Sequence, residues 1–65
     1  MTSEKDIYRS AKLLIDQHGE DATTHASMRA DELLEAGDID GERVWLRILD
    51  AVRELQNLEP AGRLH

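Results

Sequence analysis

The chain of 65 residues contains no cysteine and no phenylalanine, and proline, tryptophan and tyrosine each occur once. Without cysteine, disulfides and thiolate metal ligands are excluded. A chain this short buries only about 60% of the surface that its unfolded form exposes, so it depends on regular packing or on a partner subunit. We expect one domain covering residues 1–65.

Long apolar runs and an excess of basic residues are also missing. No run approaches the roughly 20 residues of a membrane span, and the first residues lack the basic segment and apolar core of a signal peptide. We therefore expect a cytoplasmic protein with no membrane partner. Fourteen acidic and eight basic side chains give a net charge of −6. Phosphate repels such a chain, which makes nucleic acid an unfavoured partner.

What the chain does have is helical periodicity cut by glycines. Gly19, Gly37 and Gly41 separate three stretches whose apolar residues repeat at helical spacing. The predicted helices span about 4–18, 22–36 and 41–58, followed by a frayed tail at 60–65. Because short links make neighbouring helices antiparallel, the prediction is an all-α, up-down-up three-helix bundle. The alternative is a helical hairpin that completes its core by dimerising.

The ends of the predicted helices carry capping residues. Ser3 with Asp6 approximates a capping box, and Gly19 and Gly37 suit the positive φ that follows a helix. Acidic residues open the second and third helices, with Asp21 or Thr23 as the cap of the second and Asp38 or Asp40 as the cap of the third.

The predicted core combines a strip of alanines with larger residues from the outer helices. Ala22, Ala26 and Ala30 recur every four residues, which lets a neighbouring backbone come close. Ile39 is expected to turn inward as a staple against Arg43 or Val44. The other residues expected on the apolar faces or at their edges are Ile7, Tyr8, Ala11, Leu14, Ile15, His18, Leu33, Leu34, Val44, Trp45, Ile48, Leu49, Ala51, Val52, Leu55 and Leu58.

Two turns contain histidine or acidic side chains, which are common metal ligands. His18 and His25 flank the first turn, where two imidazoles and a carboxylate would face a divalent metal. This spacing matches no established ligand pattern, and a helix C-terminal role suits His18 better. The run from Asp38 to Glu42 fails as a calcium loop in either register, because the glycine or the bidentate glutamate is misplaced. We predict no metal and no cofactor.

Three arginines are candidates for contacts. Arg29 lies within or beside the apolar face of the second helix and needs a carboxylate or a route to water. Arg43 and Arg47 share one side of the third helix, as a DNA recognition helix would require. Asp50 and Glu54 lie on that same side, so a solvated charged face is the ordinary interpretation.

Two apolar residues, Met28 and Leu46, fall away from the main apolar faces of their helices. Single exposed apolar residues are common, whereas two on adjacent helices can join into a contact patch. The chain offers no nucleophile, base and orienting group that would converge in a cleft, so we expect no enzymatic activity.

A resemblance runs along most of the chain, over residues 6–56. It rests on turn glycines and core positions that follow an H-G … R-A-D … G-D-x-x-G-x-x-x-W pattern: His18, Gly19, Ala26, Arg29, Ala30, Asp31, Gly37, Asp38, Gly41, Trp45, Ile48 and Ala51. The pattern resembles that of a group of short bacterial helical proteins, a domain of unknown function. The resemblance implies a bacterial, cytoplasmic, stand-alone helical domain and carries over no activity or site residue.

These observations favour a small acidic helical module that acts through protein–protein contact, with itself or with another protein as partner. Its predicted surface consists of Met28, Arg29, Arg43, Leu46 and Arg47. The alternative is a transcriptional or nucleic-acid-linked regulator that uses the third helix, or that mimics nucleic acid through its acidity.

Overall fold

A computed structural model describes residues 3–58, and no strand occurs between them. Three α-helices and one short 3-10 turn follow in order: α1 (Glu4–His18), the turn (Gly19–Asp21), α2 (Ala22–Glu35) and α3 (Ile39–Leu58). The all-helical class is confirmed for this part of the chain. The predicted tail at 60–65 lies outside the described residues.

The first helix begins and ends at the residues that carry its signals. The Ser3 hydroxyl accepts a hydrogen bond from the Asp6 amide at 3.2 Å, as in a capping box. Gly19 has a φ of 58° and its amide donates to the Ile15 carbonyl, which closes the last turn of α1. The chain then passes directly into the 3-10 turn.

The start of α2 corrects the prediction of a side-chain cap at Asp21 or Thr23. Asp21 holds the cap position, but its side chain makes no capping hydrogen bond. The amide of Ala22 donates instead to the Gly19 carbonyl, so the backbone of the 3-10 turn satisfies a group that a cap would otherwise serve.

The helix α2 ends at Glu35, one residue before the predicted end at 36, and Gly37 reverses the chain after it. The Gly37 amide donates to the Leu34 carbonyl at 3.0 Å, and the Asp38 amide donates to the Leu33 carbonyl at 2.8 Å. Gly37 has a φ of 84°. These paired bonds form a Schellman motif, which requires the left-handed backbone that glycine adopts without strain.

The third helix begins at Ile39, two residues before the predicted start. The Asp38 carboxylate accepts from the Gly41 amide at 2.9 Å, so Asp38, rather than Asp40, is the cap. A Cβ at Gly41 would lie 2.6 Å from Asp38 Oδ2. With a Cβ at this position, the carboxylate of Asp38 would have to shift in order to cap the first turn.

The core lies where α1 and α2 pack against α3, and most of its members are small. Five of the nine buried residues are alanines, so helix backbones approach closely along these seams. Trp45 is half-buried and packs at the edge of the core. The buried residues are Ile7, Ala11, Ala22, Ala26, Ala30, Ile48, Leu49, Ala51 and Val52.

Two residues expected to point inward are exposed. Leu34 is 49% exposed, because Leu33 follows Ala26 and Ala30 more closely in helical phase and takes the inner position. Ile39 is 46% exposed. Because α3 begins at Ile39, this residue lies inside the helix rather than before its cap, where a staple residue would be.

Candidate interaction surface

The side of α3 that points away from the core carries exposed residues at a spacing of four and three. We call this set the outer face of α3: Ile39, Arg43, Leu46, Asp50 and Arg53. Such spacing places the five residues in one row along the helix. The row combines two apolar and three charged side chains, and its two apolar members, Ile39 and Leu46, are seven residues apart.

The core residues of the same helix dictate this row. Ile48, Leu49 and Val52 are buried against the other helices, so the opposite side of α3 is left to solvent. Arg47 and Glu54 lie on the α1 side of the row, since both line a shallow groove that also includes Tyr8, and Asp50 is the member of the row that reaches this groove. The outer face of α3 is thus flanked by α1 on one side and by α2 on the other.

Met28 extends this surface onto α2. It is 54% exposed and lines a shallow depression of about 290 Å³ together with Arg53 and three hydroxyl-bearing residues of α2. Arg53 follows Leu46 by seven residues, which is about two helical turns. Met28 and Leu46 therefore lie on neighbouring helices near one surface but two turns apart, rather than side by side.

Arg29 lies at a different edge of α2. Its guanidinium bonds the Glu32 carboxylate at 3.0 Å, and both side chains are more than half exposed. His25, four residues earlier, stacks on His18 of α1, so helical spacing puts Arg29 on the side of α2 nearer to α1. The structure therefore separates Arg29 from the other four predicted surface residues.

A hydrogen bond joins α1 to α3 at the edge of this surface. The Tyr8 hydroxyl donates to the Glu54 carboxylate. This hydrogen bond, followed by partial desolvation and by the negative charges of Glu54 and Glu4, raises the pKa of Tyr8 above its ordinary value of 10.0. Protonated Tyr8 thus fixes the position of a carboxylate at the border of the outer face.

The two histidines at the first turn meet as stacked rings. The ring centroids of His18 and His25 lie 3.6 Å apart, with an angle of 20° between the planes. Within residues 3–58, no group of three or more histidines and carboxylates is arranged to hold a metal ion. The stack instead packs the end of α1 against the first turn of α2.

In the turn between α2 and α3, Asp38 has a structural role. Asp38, the first residue of the run tested as a calcium loop, accepts a hydrogen bond from the Gly41 amide and so caps α3.

The groove that includes Arg47, Tyr8 and Glu54 holds about 170 Å³. This volume and that of the Met28 depression are smaller than the roughly 300–1,000 Å³ of sites that enclose small molecules.

Three more large apolar side chains are exposed, at positions where the helical pattern did not predict a surface. Leu34 and Ile39 were expected in the core, and Leu13, which is 55% exposed, was not singled out. Leu13 is off-phase with Ile7, Ala11 and Leu14, so the helical-spacing criterion that found Met28 and Leu46 also applies to it. The exposure of Ile39 depends on the helix start, which is harder to place from sequence.

Comparison with protein-family models, with curated proteins and with solved structures finds no match to this chain. The resemblance to short bacterial helical proteins therefore stays a prediction. Between residues 3 and 58, no helix has the length and apolar character needed to cross a membrane.

Proposed function

We propose that this chain is a small helical module that acts by contact with another protein, in the first place a second copy of itself, and without catalytic chemistry. One observation carries the proposal: large apolar side chains are left in solvent while alanines fill much of the core. The exposed ones are Leu13, Met28, Leu34, Ile39 and Leu46, each more than 40% exposed.

The distribution of these residues supports a contact surface. Scattered exposed apolar residues are ordinary on any protein. Here four of the five lie on α2 and α3, and Ile39 and Leu46 share one row. A chain with few large buried side chains is also one that gains stability when a partner covers such a surface.

The architecture that we propose for the module is the up-down-up three-helix bundle. Its support comes from contacts at the helix ends. Glu4 lines the same groove as Arg47, and the Gln56 amide donates to the Gly19 carbonyl at 3.2 Å, so α1 and α3 run in the same direction. Met28 lies near Arg53 although α2 ends beside the start of α3, which gives α2 the opposite direction.

The proposed setting is the bacterial cytoplasm. It is supported by the resemblance to short bacterial proteins, by the absence of cysteine and by the net charge of −6. An acidic surface keeps a small protein soluble and limits its adhesion to nucleic acid, so specific contact depends on the apolar residues.

A nucleic-acid regulator is the second candidate, favoured by the exposure of Arg43 and Arg47 on the helix after a short turn. Asp50 and Glu54 are exposed on the same helix and oppose phosphate contact. A labelled DNA duplex mixed with the protein at low salt tests this candidate. A shift that decreases with added salt supports it, and no shift at low salt removes it.

The test of the proposed function is the molar mass in solution, measured by light scattering from micromolar to millimolar concentration. We expect the mass to rise from that of a monomer towards twice that value. Leu46→Ser should shift the rise to higher concentration, whereas Leu13→Ser on α1 serves as a control of equal chemistry. A monomer at every concentration would contradict self-association.

A further inference from the structure

The three helices differ in the charges that they expose. On α2 a single arginine accompanies Asp31, Glu32 and Glu35, and the two turns add further carboxylates. Two copies that approached through these parts would repel each other. On α3 the exposed charges balance, because three arginines accompany Asp40, Asp50 and Glu54. The outer face of α3 is therefore a place where this acidic chain can meet itself.

The order of residues within that face also determines the direction of such a meeting. In a parallel, in-register pair, every charge would lie opposite its own copy, with Arg43 against Arg43 and Asp50 against Asp50. In an antiparallel pair with a two-fold axis beside Leu46 and Arg47, Arg43 of one copy lies opposite Asp50 of the other. The symmetry makes the same contact twice, as a self-complementary interface requires.

The apolar members of the row fit this arrangement. Leu46 lies next to the axis, so the two copies of Leu46 come together at the centre of the contact. Ile39 lies towards each end, opposite the part of the second α3 that contains Glu54. Neither Arg43 nor Asp50 has an ion-pair partner within residues 3–58, so both charges are available to a second copy.

We propose that two copies of this chain pair through the outer face of α3 in antiparallel orientation, with Arg43 of each copy bonded to Asp50 of the other. This inference rests on the proposed function and specifies its partner and surface. The overlap from Ile39 to Glu54 is about 24 Å long at 1.5 Å per residue. One helix pair buries less than the roughly 1,600 Å² of a standard interface, so the dimer forms and dissociates readily.

Self-association through α1 would have balanced charges but would lack the pair of apolar residues that the outer face of α3 provides. Its exposed charges also balance, but Leu13 is the one large exposed apolar residue on that helix. No second apolar residue stands seven positions away on the exposed side. Exposed residues of α1 are therefore suitable controls, because they change charge without touching the proposed contact.

A charge exchange between two variants tests the pairing. Arg43→Glu places a carboxylate opposite Asp50 of the second copy, and Asp50→Arg places a guanidinium opposite Arg43. Each variant alone should dimerise at least about tenfold more weakly than the unchanged chain, because the repulsive contact occurs twice. In an equimolar mixture, both contacts of the mixed dimer pair opposite charges, and dimerisation should recover to within about threefold of the original.

Sedimentation equilibrium of the full chain, with one variant carrying a fluorescent label, measures the homodimers and the mixed dimer. The matched controls are Arg9→Glu and Asp16→Arg on α1, which make the same changes in net charge at exposed positions. These controls should dimerise within about twofold of the unchanged chain. Circular dichroism of every variant verifies that the helices remain folded.

The possible results separate this inference from the broader proposal. Recovery in the mixture, with no effect in the controls, supports the antiparallel α3 pair. A dimer of the unchanged chain whose variants show no recovery when mixed would overturn the pairing while leaving self-association in place. Equal weakening by Arg9→Glu would also overturn it, because net charge alone would then explain the effect. A monomeric unchanged chain would contradict both.

Discussion

The inner side of α2 and the outer face of α3 use apolar residues of opposite size. On the inner side Ala22, Ala26 and Ala30 are buried, whereas Ile39 and Leu46 on the outer face are more than 40% exposed. Burying a side chain as large as leucine stabilises a fold by about 1.5–3 kcal/mol. The outer face therefore leaves in solvent apolar area that the proposed partner would cover.

The proposed function assigns these two regions to separate sources of stability. Small residues let the helices approach closely, so packing contributes even where the buried side chains are short. Large apolar side chains on the outside contribute when something covers them. The seam of α2 therefore serves the monomer, and the outer face of α3 is available to a partner.

A charge on the inner side of α2 should give the largest effect. Ala26 is 0% exposed, so Ala26→Glu would bury a carboxylate without a partner. An uncompensated buried charge costs about 3–5 kcal/mol, which is enough to unfold a domain of this length. Thermal unfolding followed by circular dichroism measures the loss. The neighbouring exposed position supplies the control, since Ser27→Glu should change stability by less than about 0.5 kcal/mol. Equal effects at the two positions would mean that this strip is not buried.

A pair of truncations compares the two regions directly. Val52 is 0% exposed and Met28 is 54% exposed. Val52→Ala removes two buried methyl groups and leaves a small cavity, which should cost about 2–3 kcal/mol. Met28→Ala removes the larger side chain but should cost less than about 0.5 kcal/mol in dilute, monomeric protein. Urea unfolding followed by the fluorescence of Trp45 measures both variants. A larger loss for Met28→Ala would reverse the assignment of inside and outside.

The cap of α3 should have an effect of intermediate size, and it sets the exposure of Ile39. Asp38→Ala removes the carboxylate that accepts from Gly41 and should cost about 1 kcal/mol. Gly41→Ala would normally stabilise a helix by up to about 1 kcal/mol. Here the gain should be smaller, because the new Cβ would lie 2.6 Å from Asp38 Oδ2 and the carboxylate would have to shift to make room. In the Asp38→Ala background the gain should return, and a double-mutant cycle detects this coupling. Additive effects would contradict the close approach of Asp38 to Gly41.

Local chemistry explains which parts of the fold could be predicted from the sequence. Ser3, Gly19 and Gly37 mark helix ends through contacts with residues three or four positions away, and α1 has the predicted bounds. The alanine strip of α2 was likewise visible as a spacing of four. These features depend on neighbours in sequence, which a single chain displays directly.

The differences between prediction and structure at Ile39 and Leu34 depend on the first residue and the phase of a helix. Moving the start of α3 by two residues converts Ile39 from a staple into a member of the outer face, because its side chain then follows the phase of the helix. Leu33 and Leu34 differ by one position, and the helical phase of Ala26 and Ala30 favours Leu33 as the inner residue, a distinction that the width of the predicted apolar face did not resolve. The outer face of α3 could therefore be predicted only in part, through Arg43 and Leu46.

The smallest expected effect concerns the border between the two regions, where Tyr8 donates to Glu54. Because folding raises the pKa of Tyr8 above 10.0, the unfolded chain loses this proton at a lower pH than the folded chain. The contribution of Tyr8 is complete below that value and is lost as pH rises through the higher pKa of the folded state. Urea unfolding from about pH 8 to about pH 11 should therefore show a decline that is shallower in Tyr8→Phe. Lysine deprotonation affects both proteins alike, so their difference isolates Tyr8. Parallel curves would mean that Glu54 is not held by Tyr8 and that this edge of α3 is as free as its outer face.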